Sequence, residues 1–284
     1  MFMLKWLSRL PMWMLYALSD IMYVLVYYVL GYRKRVVYSN LRNSFPNKSA
    51  DDIKVIAKDF YKGFMDFNME TLKAFTISEK ELLKRVQFTN VPEVEPQATA
   101  NQSILVMASH QFNWEWALLA GCLVLPFPVD AVYQRLKNDG FNDIMLKTRG
   151  KFGGQPIDKN QILRAILKTK DRLRALGIVA DQSPRRGSPK YWTQFMSQET
   201  AFYIGSEQIA KATKFPVYFF RVTKPKRGQY QVELVKLADP PYDKQSHNIL
   251  EAYIKETERL IHDQPEGYLW SHKRWKLKRD QDEK

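Results

Sequence analysis

The stretch from Ser103 to Ala117, SILVMASHQFNWEWA, decides the fold because it reads as a strand, a turn and the start of a helix. Residues 103–108 are apolar or small and suit a buried strand, and a helical pattern begins at Trp114. His110 stands at the carboxyl end of the strand, and Glu115 follows in the first helical turn. In sheets flanked by helices, ligands bind beyond the carboxyl ends of the strands. The stretch therefore predicts a functional site at that edge of a sheet.

Predicted strands and helices alternate along the rest of the chain, which is typical of an α/β fold. A helix begins at Ser49-Ala-Asp-Asp52, which resembles a capping box, and runs to about Phe75. The turn-like residues 226–229 join the last two strands in a hairpin at one edge. We expect a mixed, mostly parallel sheet flanked by helices. The predicted strands are 87–91, 103–108, 128–133, 176–180, 216–223 and 230–237, and the predicted helices among them are 114–123, 139–148, 161–173, 200–213 and 247–262.

An apolar and aromatic segment, residues 10–32, precedes the α/β region. It is slightly longer than the roughly 20 residues that a helix needs to cross a bilayer core. Asp20 lies near its centre, where a carboxylate costs about 3 kcal/mol, and its tyrosines suit the headgroup level. If the segment spans the bilayer, the basic residues 33–35 would keep the following region in the cytoplasm. We expect residues 1–35 to be a membrane anchor that spans or lies on the bilayer, and residues 36–284 to be a single α/β domain. A buried helix of a soluble domain is the alternative.

Charge, cysteine content and motifs narrow the classes of function. The formal net charge of +14 attracts nucleic acid, anionic membranes or phosphorylated substrates. The single cysteine, Cys122, excludes a disulfide within the chain and is expected to fill the core. The four histidines form no HExxH or Cys/His cluster, so we expect no dedicated metal site. The sequence contains no GxSxG motif of a serine hydrolase. It contains no P-loop or dinucleotide motif that would imply a nucleotide cofactor, and no recognisable nucleic-acid module.

The spacing of His110 and Glu115 suits general-base catalysis. A carboxylate that accepts a hydrogen bond from one imidazole nitrogen fixes the tautomer and leaves the other nitrogen free to take a proton. We therefore interpret His110 as a candidate base and Glu115 as the residue that orients it. The alternative is a structural histidine that satisfies a backbone group, because this spacing also occurs by chance.

Five motifs follow one another along the chain: His110-x4-Glu115, Arg149-Gly150, ADQSPRRG at 180–187, FPV at 215–217 and LWSHKRWK at 269–276. In this order, behind an aromatic-rich apolar helix, they resemble the bacterial late lipid A acyltransferases over about residues 10–276. The resemblance implies a glycerolipid acyltransferase-like fold in a bacterial inner-membrane enzyme that faces the cytoplasm. Such an enzyme moves an acyl chain from acyl carrier protein to a hydroxyl of a lipid A precursor.

The sequence departs from the wider glycerolipid acyltransferases at two points. Those enzymes carry His-x4-Asp and a Phe-Pro-Glu-Gly motif midway along the chain. This sequence has Glu115, and its only Pro-Glu-Gly, residues 265–267, lies near the C-terminus. We treat that late match as accidental. The departure favours lipid A acceptors over lysophosphatidic acid.

The resemblance also implies roles for residues beyond this spacing. Arg149 is a candidate donor to the oxyanion of a tetrahedral intermediate. A cation before Gly150 would equally suit a helix C-terminus. Asp181 is expected on the same rim of the sheet as His110, where it orders the site, pairs with Arg149 or caps the turn that follows.

Basic residues after Asp181 and near the C-terminus complete the set of candidates. Arg185, Arg186 and Lys190 can bind lipid A phosphates or the acidic carrier protein, or form a solvated basic loop. Residues 272–276 suit a membrane-interfacial segment or a charged tail. Two functions remain. The first is a membrane-bound O-acyltransferase, acting on a lipid A precursor or another hydroxylated lipid such as an aminoacyl lipid or a polyene. The second is a basic protein that binds membranes or nucleic acid without catalysis.

Overall fold

The computed structural model describes residues 2–169 and 171–279 and contains a seven-stranded, mostly parallel sheet. The strands are β1 Val86–Phe88, β2 Ile104–Ala108, β3 Val129–Tyr133, β4 Gln155–Asp158, β5 Ala175–Val179, β6 Lys190–Phe195, β7 Gln198–Tyr203, β8 Val217–Lys226 and β9 Gln229–Ala238. The order across the main sheet is β1-β9-β8-β2-β5-β3-β4, and β6 and β7 form a separate hairpin. Neighbours in the main sheet are parallel except β8 and β9. The predicted fold class is confirmed.

Helices cover both faces of this sheet and precede it. They are α1 Phe2–Leu7, α2 Met12–Val24, α3 Lys34–Ser44, α4 Ala50–Ala74, α5 Glu79–Arg85, α6 Glu95–Thr99, α7 Trp114–Val124, α8 Asp139–Arg149, α9 Ile162–Lys168, α10 Gly205–Thr213 and α11 Asn248–Asp263. One π-helical turn, Leu25–Val29, continues α2. The capping box predicted for α4 is present, because Ser49 Oγ accepts a hydrogen bond from the Asp52 amide and the Asp52 carboxylate accepts one from the Ser49 amide.

The structure corrects three details of the predicted order. Residues 200–213 were predicted as one helix, but β7 occupies their first part and α10 begins at Gly205. A side chain at Gly205 would collide with the Tyr203 ring, so glycine allows the chain to turn there. The helix predicted over 161–173 ends at Lys168. The β8–β9 hairpin lies one strand inside the edge, because β1 pairs with β9.

The central strand β2 is buried on both faces, as the uninterrupted apolar run predicts. Leu105 and Met107 belong to the apolar layer formed with α4 and α11. Ile104 and Val106 point to the opposite face, where they pack near Leu125 at the end of α7. A rigid central strand therefore ends directly before His110.

Candidate active site

His110 and Asp181 meet because the neighbouring strands β2 and β5 end in register. Ala108 pairs with Val179, and each functional residue lies two positions beyond its strand end. The Asp181 carboxylate accepts a hydrogen bond from His110 Nδ1 at 2.6 Å and another from the His110 backbone amide at 3.1 Å. Asp181 is 2% exposed, whereas the His110 side chain is 18% exposed. The imidazole is therefore held from its buried side and open on the other.

Asp181 is ionised at neutral pH. Burial alone would raise the pKa of Asp181, but the charge of His110, its two hydrogen bonds and the charge of Arg274 outweigh burial and lower that pKa. An ionised carboxylate only accepts hydrogen bonds, so Nδ1 of His110 carries the proton. Gln182 Nε2 lies 3.2 Å from His110 Nε2 and can donate to it. Nε2 is therefore the nitrogen that can take a proton.

Glu115 binds Arg149 and does not form the predicted hydrogen bond with His110. Arg149 Nε and Nη2 donate to the two Glu115 oxygens at 2.9 and 2.5 Å. Burial would lower the pKa of Arg149, but the hydrogen bonds and charge of Glu115 outweigh it and raise that pKa, so the guanidinium is charged. The difference has a physical reason: Glu115 in the first turn of α7 meets the last residue of α8, while β5 supplies the carboxylate at the imidazole.

His110, Glu115 and Arg149 line one cavity of about 850 Å³. This volume lies within the roughly 300–1,000 Å³ of small-molecule sites. Much of the wall is apolar and lies between α7 and the sheet. Small side chains open this space, among them Ala108, Ala117, Gly121, Ala131, Ala175 and Gly177. The cavity can therefore hold an apolar chain beside the imidazole.

The segment after α11 supports the turn that carries His110. The Phe112 amide donates to the Gly267 carbonyl at 2.9 Å, and the Leu269 amide donates to the His110 carbonyl at 3.1 Å. Phe112 has a φ of 49°, in the left-handed region that non-glycine residues rarely adopt. A side chain at Gly267 would come within 2.5 Å of the Phe112 ring. Residues 265–267, treated above as an accidental motif match, therefore lie directly against the active-site turn.

Residues 272–276 also support the site, so the alternative of a charged tail is wrong. Arg274 is 2% exposed, and its guanidinium carbon lies 4.3 Å from the centre of the Phe202 ring. His272 Nε2 accepts a hydrogen bond from the Ser183 amide at 3.3 Å. Burial, together with the charges of Arg274 and His110, lowers the pKa of His272 to about 4, so this imidazole is neutral.

The three predicted substrate-binding cations follow Asp181 in one surface segment. Arg185 is exposed and lines the cavity. Lys190 Nζ donates to the Arg186 carbonyl at 2.6 Å, which ties the ends of this segment together. Of the three, Arg185 is thus placed to meet a molecule that enters the cavity.

Two neighbours of His110 were not predicted. Gln182 contacts Nε2, and the Trp114 ring lies nearly perpendicular to the imidazole, with 4.9 Å between ring centres. Each is the sequence neighbour of a predicted residue, Asp181 or Glu115, and that adjacency was the available signal. Within the described residues no group of three or more His, Cys, Asp or Glu side chains could hold a metal ion. Burial raises the pKa of the Cys122 thiol to about 11, so this cysteine is protonated at neutral pH.

Comparison with known proteins gives a match over nearly the whole chain. A family model described as bacterial lipid A biosynthesis acyltransferase matches residues 1–277. A Haemophilus influenzae protein named lipid A biosynthesis acyltransferase is 23% identical over 200 residues. That alignment covers 68% of this chain and 60% of the relative, so the chain spans less than two thirds of the relative's length.

Proposed function

The chain belongs to the bacterial lipid A biosynthesis acyltransferase family, and on this premise we propose that it transfers a fatty acyl chain to a hydroxyl of a lipid A precursor. We propose that acyl carrier protein presents the chain as a thioester and that residues 36–284 form the catalytic domain. One observation carries the proposal: the His110–Asp181 pair stands beside a largely apolar cavity of about 850 Å³. The pair supplies a base, and the cavity supplies space for the acyl chain.

His110 acts as the general base in this proposal. The acceptor hydroxyl loses its proton to Nε2 while its oxygen attacks the thioester carbonyl carbon. Asp181 stabilises the imidazolium that forms and keeps the ring oriented. A positioned imidazole contributes about 10²–10⁴-fold to such a step. When the intermediate collapses, the C–S bond breaks and the leaving thiolate takes the proton from Nε2.

Arg149 acts as a donor to the oxyanion of the tetrahedral intermediate. Two of its nitrogens are held by Glu115, and its Nη1 has no hydrogen-bond partner in the described part of the chain. Donors of this kind are worth about 2.7–4 kcal/mol. Glu115 is therefore proposed to position Arg149, in place of the role toward His110 that the spacing predicts. Arg185, Arg186 and Lys190 are proposed to bind anionic groups of the substrates.

We propose that α2 lies on the membrane surface rather than crossing it. Residues 12–29 are long and apolar enough to cross a membrane, but one third of the stretch is buried against the protein. Leu15 and Tyr23 pack into the core beside α4. Trp13 and Ile21 are 72% and 65% exposed and present an apolar outer face. A helix that is held to the protein on one side and presents apolar and aromatic side chains on the other can bury that outer face at the headgroup boundary.

The charge near the middle of α2 agrees with this orientation. Asp20 accepts a hydrogen bond from Arg227 at 2.7 Å, and Ser19 Oγ donates to Asp66 at 2.7 Å. These polar contacts join α2 to the β8–β9 turn and to α4. A helix surrounded by lipid would lack such contacts. The basic residues 33–35 that follow α2 are attracted by anionic headgroups, and we propose that the protein binds the cytoplasmic face of the inner membrane, where the proposed carrier-protein donor is found.

Acyl transfer by the purified protein in detergent tests the proposal. The donors are acyl carrier protein and coenzyme A thioesters of several chain lengths, and the acceptors are a tetra-acylated lipid A precursor and other hydroxylated lipids. We expect the precursor to gain one acyl group, with the carrier protein as the better donor. Product on another lipid alone would show that this lipid, and not the lipid A precursor, is the acceptor. No product with any pair of donor and acceptor would contradict acyl transfer.

A further inference from the structure

Glu70, on α4, is a fully buried carboxylate that the proposed reaction does not use. Its carboxylate accepts hydrogen bonds from three elements of the fold. Tyr16 of α2 donates to Oε1 at 2.8 Å, while Asn113 Nδ2 and the Tyr230 hydroxyl of β9 donate to Oε2 at 2.8 and 2.6 Å. A fourth bond runs to its backbone, because Trp116 Nε1 donates to the Glu70 carbonyl at 3.0 Å.

Two of these four bonds come from the start of α7. Asn113 is the N-cap of α7, and its Oδ1 accepts a hydrogen bond from the Trp116 amide at 2.9 Å. The same side chain therefore caps the helix with its oxygen and binds Glu70 with its nitrogen. Glu70 thereby fixes both the first helical turn, which carries Glu115, and the end of the turn 109–113, which carries His110.

The turn is also held by Gln111, whose Nε2 donates to the Leu260 and Gln264 carbonyls at 3.1 and 3.2 Å, and by the buried Phe112 ring. Phe112, directly before Asn113, has a left-handed backbone, and such a conformation persists where surrounding contacts impose it. Gly267 and Leu269 hold the turn from the C-terminal segment. Glu70 holds the opposite end, through Asn113. A shift of about 1 Å in a catalytic group costs on the order of 10²-fold in rate, so this end of the turn matters for chemistry.

We propose that Glu70 is a positioning residue for acyl transfer, which acts by holding Asn113 and thereby the turn 109–113 and the first turn of α7. The expected effect on the rate of acyl transfer rests on the proposed function, whereas the expected effect on the conformation of the turn does not. It assigns a role to a residue 40 positions before His110 in the sequence. Glu70 itself contacts no reacting atom.

A swap of amide and carboxylate tests the contact. Asn113→Asp keeps an oxygen for the α7 cap but sets a second carboxylate against Glu70 Oε2, with no proton between them when both are ionised. Burial raises the pKa of Glu70 to about 7 in the wild type, and a second carboxylate beside it raises the pKa of the pair further, so the variant is assayed at pH 9.5 as well as at pH 8 to ionise both groups. Glu70→Gln in the same protein returns one donor and one acceptor to the pair. Asp at 113 then caps α7 and accepts from the Gln amide.

The expected kinetic pattern is a loss and a rescue. Asn113→Asp should lower kcat on the order of tenfold or more with KM changed less than about twofold, because buried like charges displace the turn. Glu70→Gln alone should cost less than about threefold, because its amide oxygen can accept from Asn113 and Tyr230. The double variant should return to within about threefold of Glu70→Gln. Asn138→Asp is the matched control, because Asn138 caps α8 from the surface without a buried partner.

Hydrogen exchange gives a readout that does not require activity. Amides of residues 110–120 should exchange faster in Asn113→Asp and return to the wild-type rate in the double variant. If the wild type transfers no acyl chain, the proposed function fails, and exchange still decides the role of Glu70. If Asn113→Asp does not fold, Asn113→Ser keeps a cap oxygen but lacks the Nδ2 atom that reaches Glu70, and faster exchange in α7 is expected there too. Unchanged kcat and exchange in the single variants, or a double variant as impaired as Asn113→Asp, would overturn the proposal.

Discussion

Replacing Asp181 with Asn should remove the base while leaving the shape of the site almost unchanged. Asp181 accepts two hydrogen bonds from His110, one from the backbone amide and one from Nδ1. An Asn side chain has one oxygen for these two donors. If that oxygen keeps the backbone amide, the Asn amide group faces Nδ1 and donates to it. The imidazole proton then moves to Nε2, and the nitrogen that should take the substrate proton is occupied.

The size of the effect follows from this change of tautomer. The same substitution in the Ser-His-Asp triad lowers kcat about 10⁴-fold with the geometry intact. His110 is partly exposed and keeps Gln182 as a neighbour, so we expect a loss on the order of 10³–10⁴-fold, or about 4–5.5 kcal/mol of barrier. Thermal stability should fall as well, because the ionised Asp181 is stabilised by His110 and by the charge of the buried Arg274, so rates are compared at a temperature at which the variant is folded.

The assay is the initial rate of acyl transfer at saturating donor and acceptor, measured at pH 8 for wild type and Asp181→Asn. Glu207→Gln is a matched control, since His247 Nδ1 lies 2.6 Å from the buried Glu207 carboxylate and this pair does not line the cavity. The control should keep its rate within about threefold. A rate for Asp181→Asn within tenfold of wild type, in a folded protein, would refute the assignment of His110 and Asp181 as the base and its orienter.

Four further predictions concern other parts of the structure. Glu115→Gln should lower kcat by about 10²–10³-fold through loss of Arg149 positioning, and a rate within about threefold of wild type would contradict that role. Gly177→Leu should shorten the acyl chains that are accepted, because Gly177 lines the cavity and the nearest atom to an added Cβ is 3.7 Å away; an unchanged chain preference would place the chain elsewhere. Ile21→Asp should weaken binding to anionic vesicles in a sedimentation assay. Leu167→Asp should not, because Leu167 is similarly exposed but lies on α9, which contacts the edge strand β4. Equal effects of the two variants would contradict membrane contact through α2. Glu70 favours folding when protonated, because its folded pKa of about 7 lies above its ordinary 4.5, so this stabilisation is present at low pH and is lost as pH rises through 7. The melting temperature of wild type should therefore fall more between pH 6 and 8.5 than that of Glu70→Gln, by the equivalent of about 1.4 kcal/mol, because only about one pH unit of this interval lies below the folded pKa. Parallel curves would contradict a buried, titrating Glu70.

The fold was predictable where apolar periodicity and local capping agree. The run before His110 is a central strand, and Asn113 gives α7 a clear start, so both could be placed from sequence. The short strand β4 was missed because it contains Pro156 and polar residues, as an edge strand does. Residues 200–213 were predicted as one helix because strand and helix follow each other with only Ile204 between them.

The site was predictable in its members but not in its pairings. His110, Glu115, Arg149 and Asp181 were all selected, and the structure brings them to one edge of the sheet in two pairs. His-x4-Glu spacing suggested the wrong pair because sequence does not show that β2 and β5 are neighbours. Once that adjacency is known, Asp181 is expected beside His110, because each residue lies two positions after the end of its strand. The buried Arg274 and Glu70 depend on long-range packing, for which local patterns give no signal.

One measurement tests the central claim most directly: mass spectrometry of a lipid A precursor incubated with an acyl carrier protein thioester and either the wild-type protein or His110→Ala. We predict that the wild type adds the mass of one acyl group. His110→Ala should lower that rate by several orders of magnitude with an unchanged melting temperature, since His110 lies beyond a strand end and outside the packed core. Equal product from both proteins would contradict His110 as the base, and no product from the wild type would contradict acyl transfer.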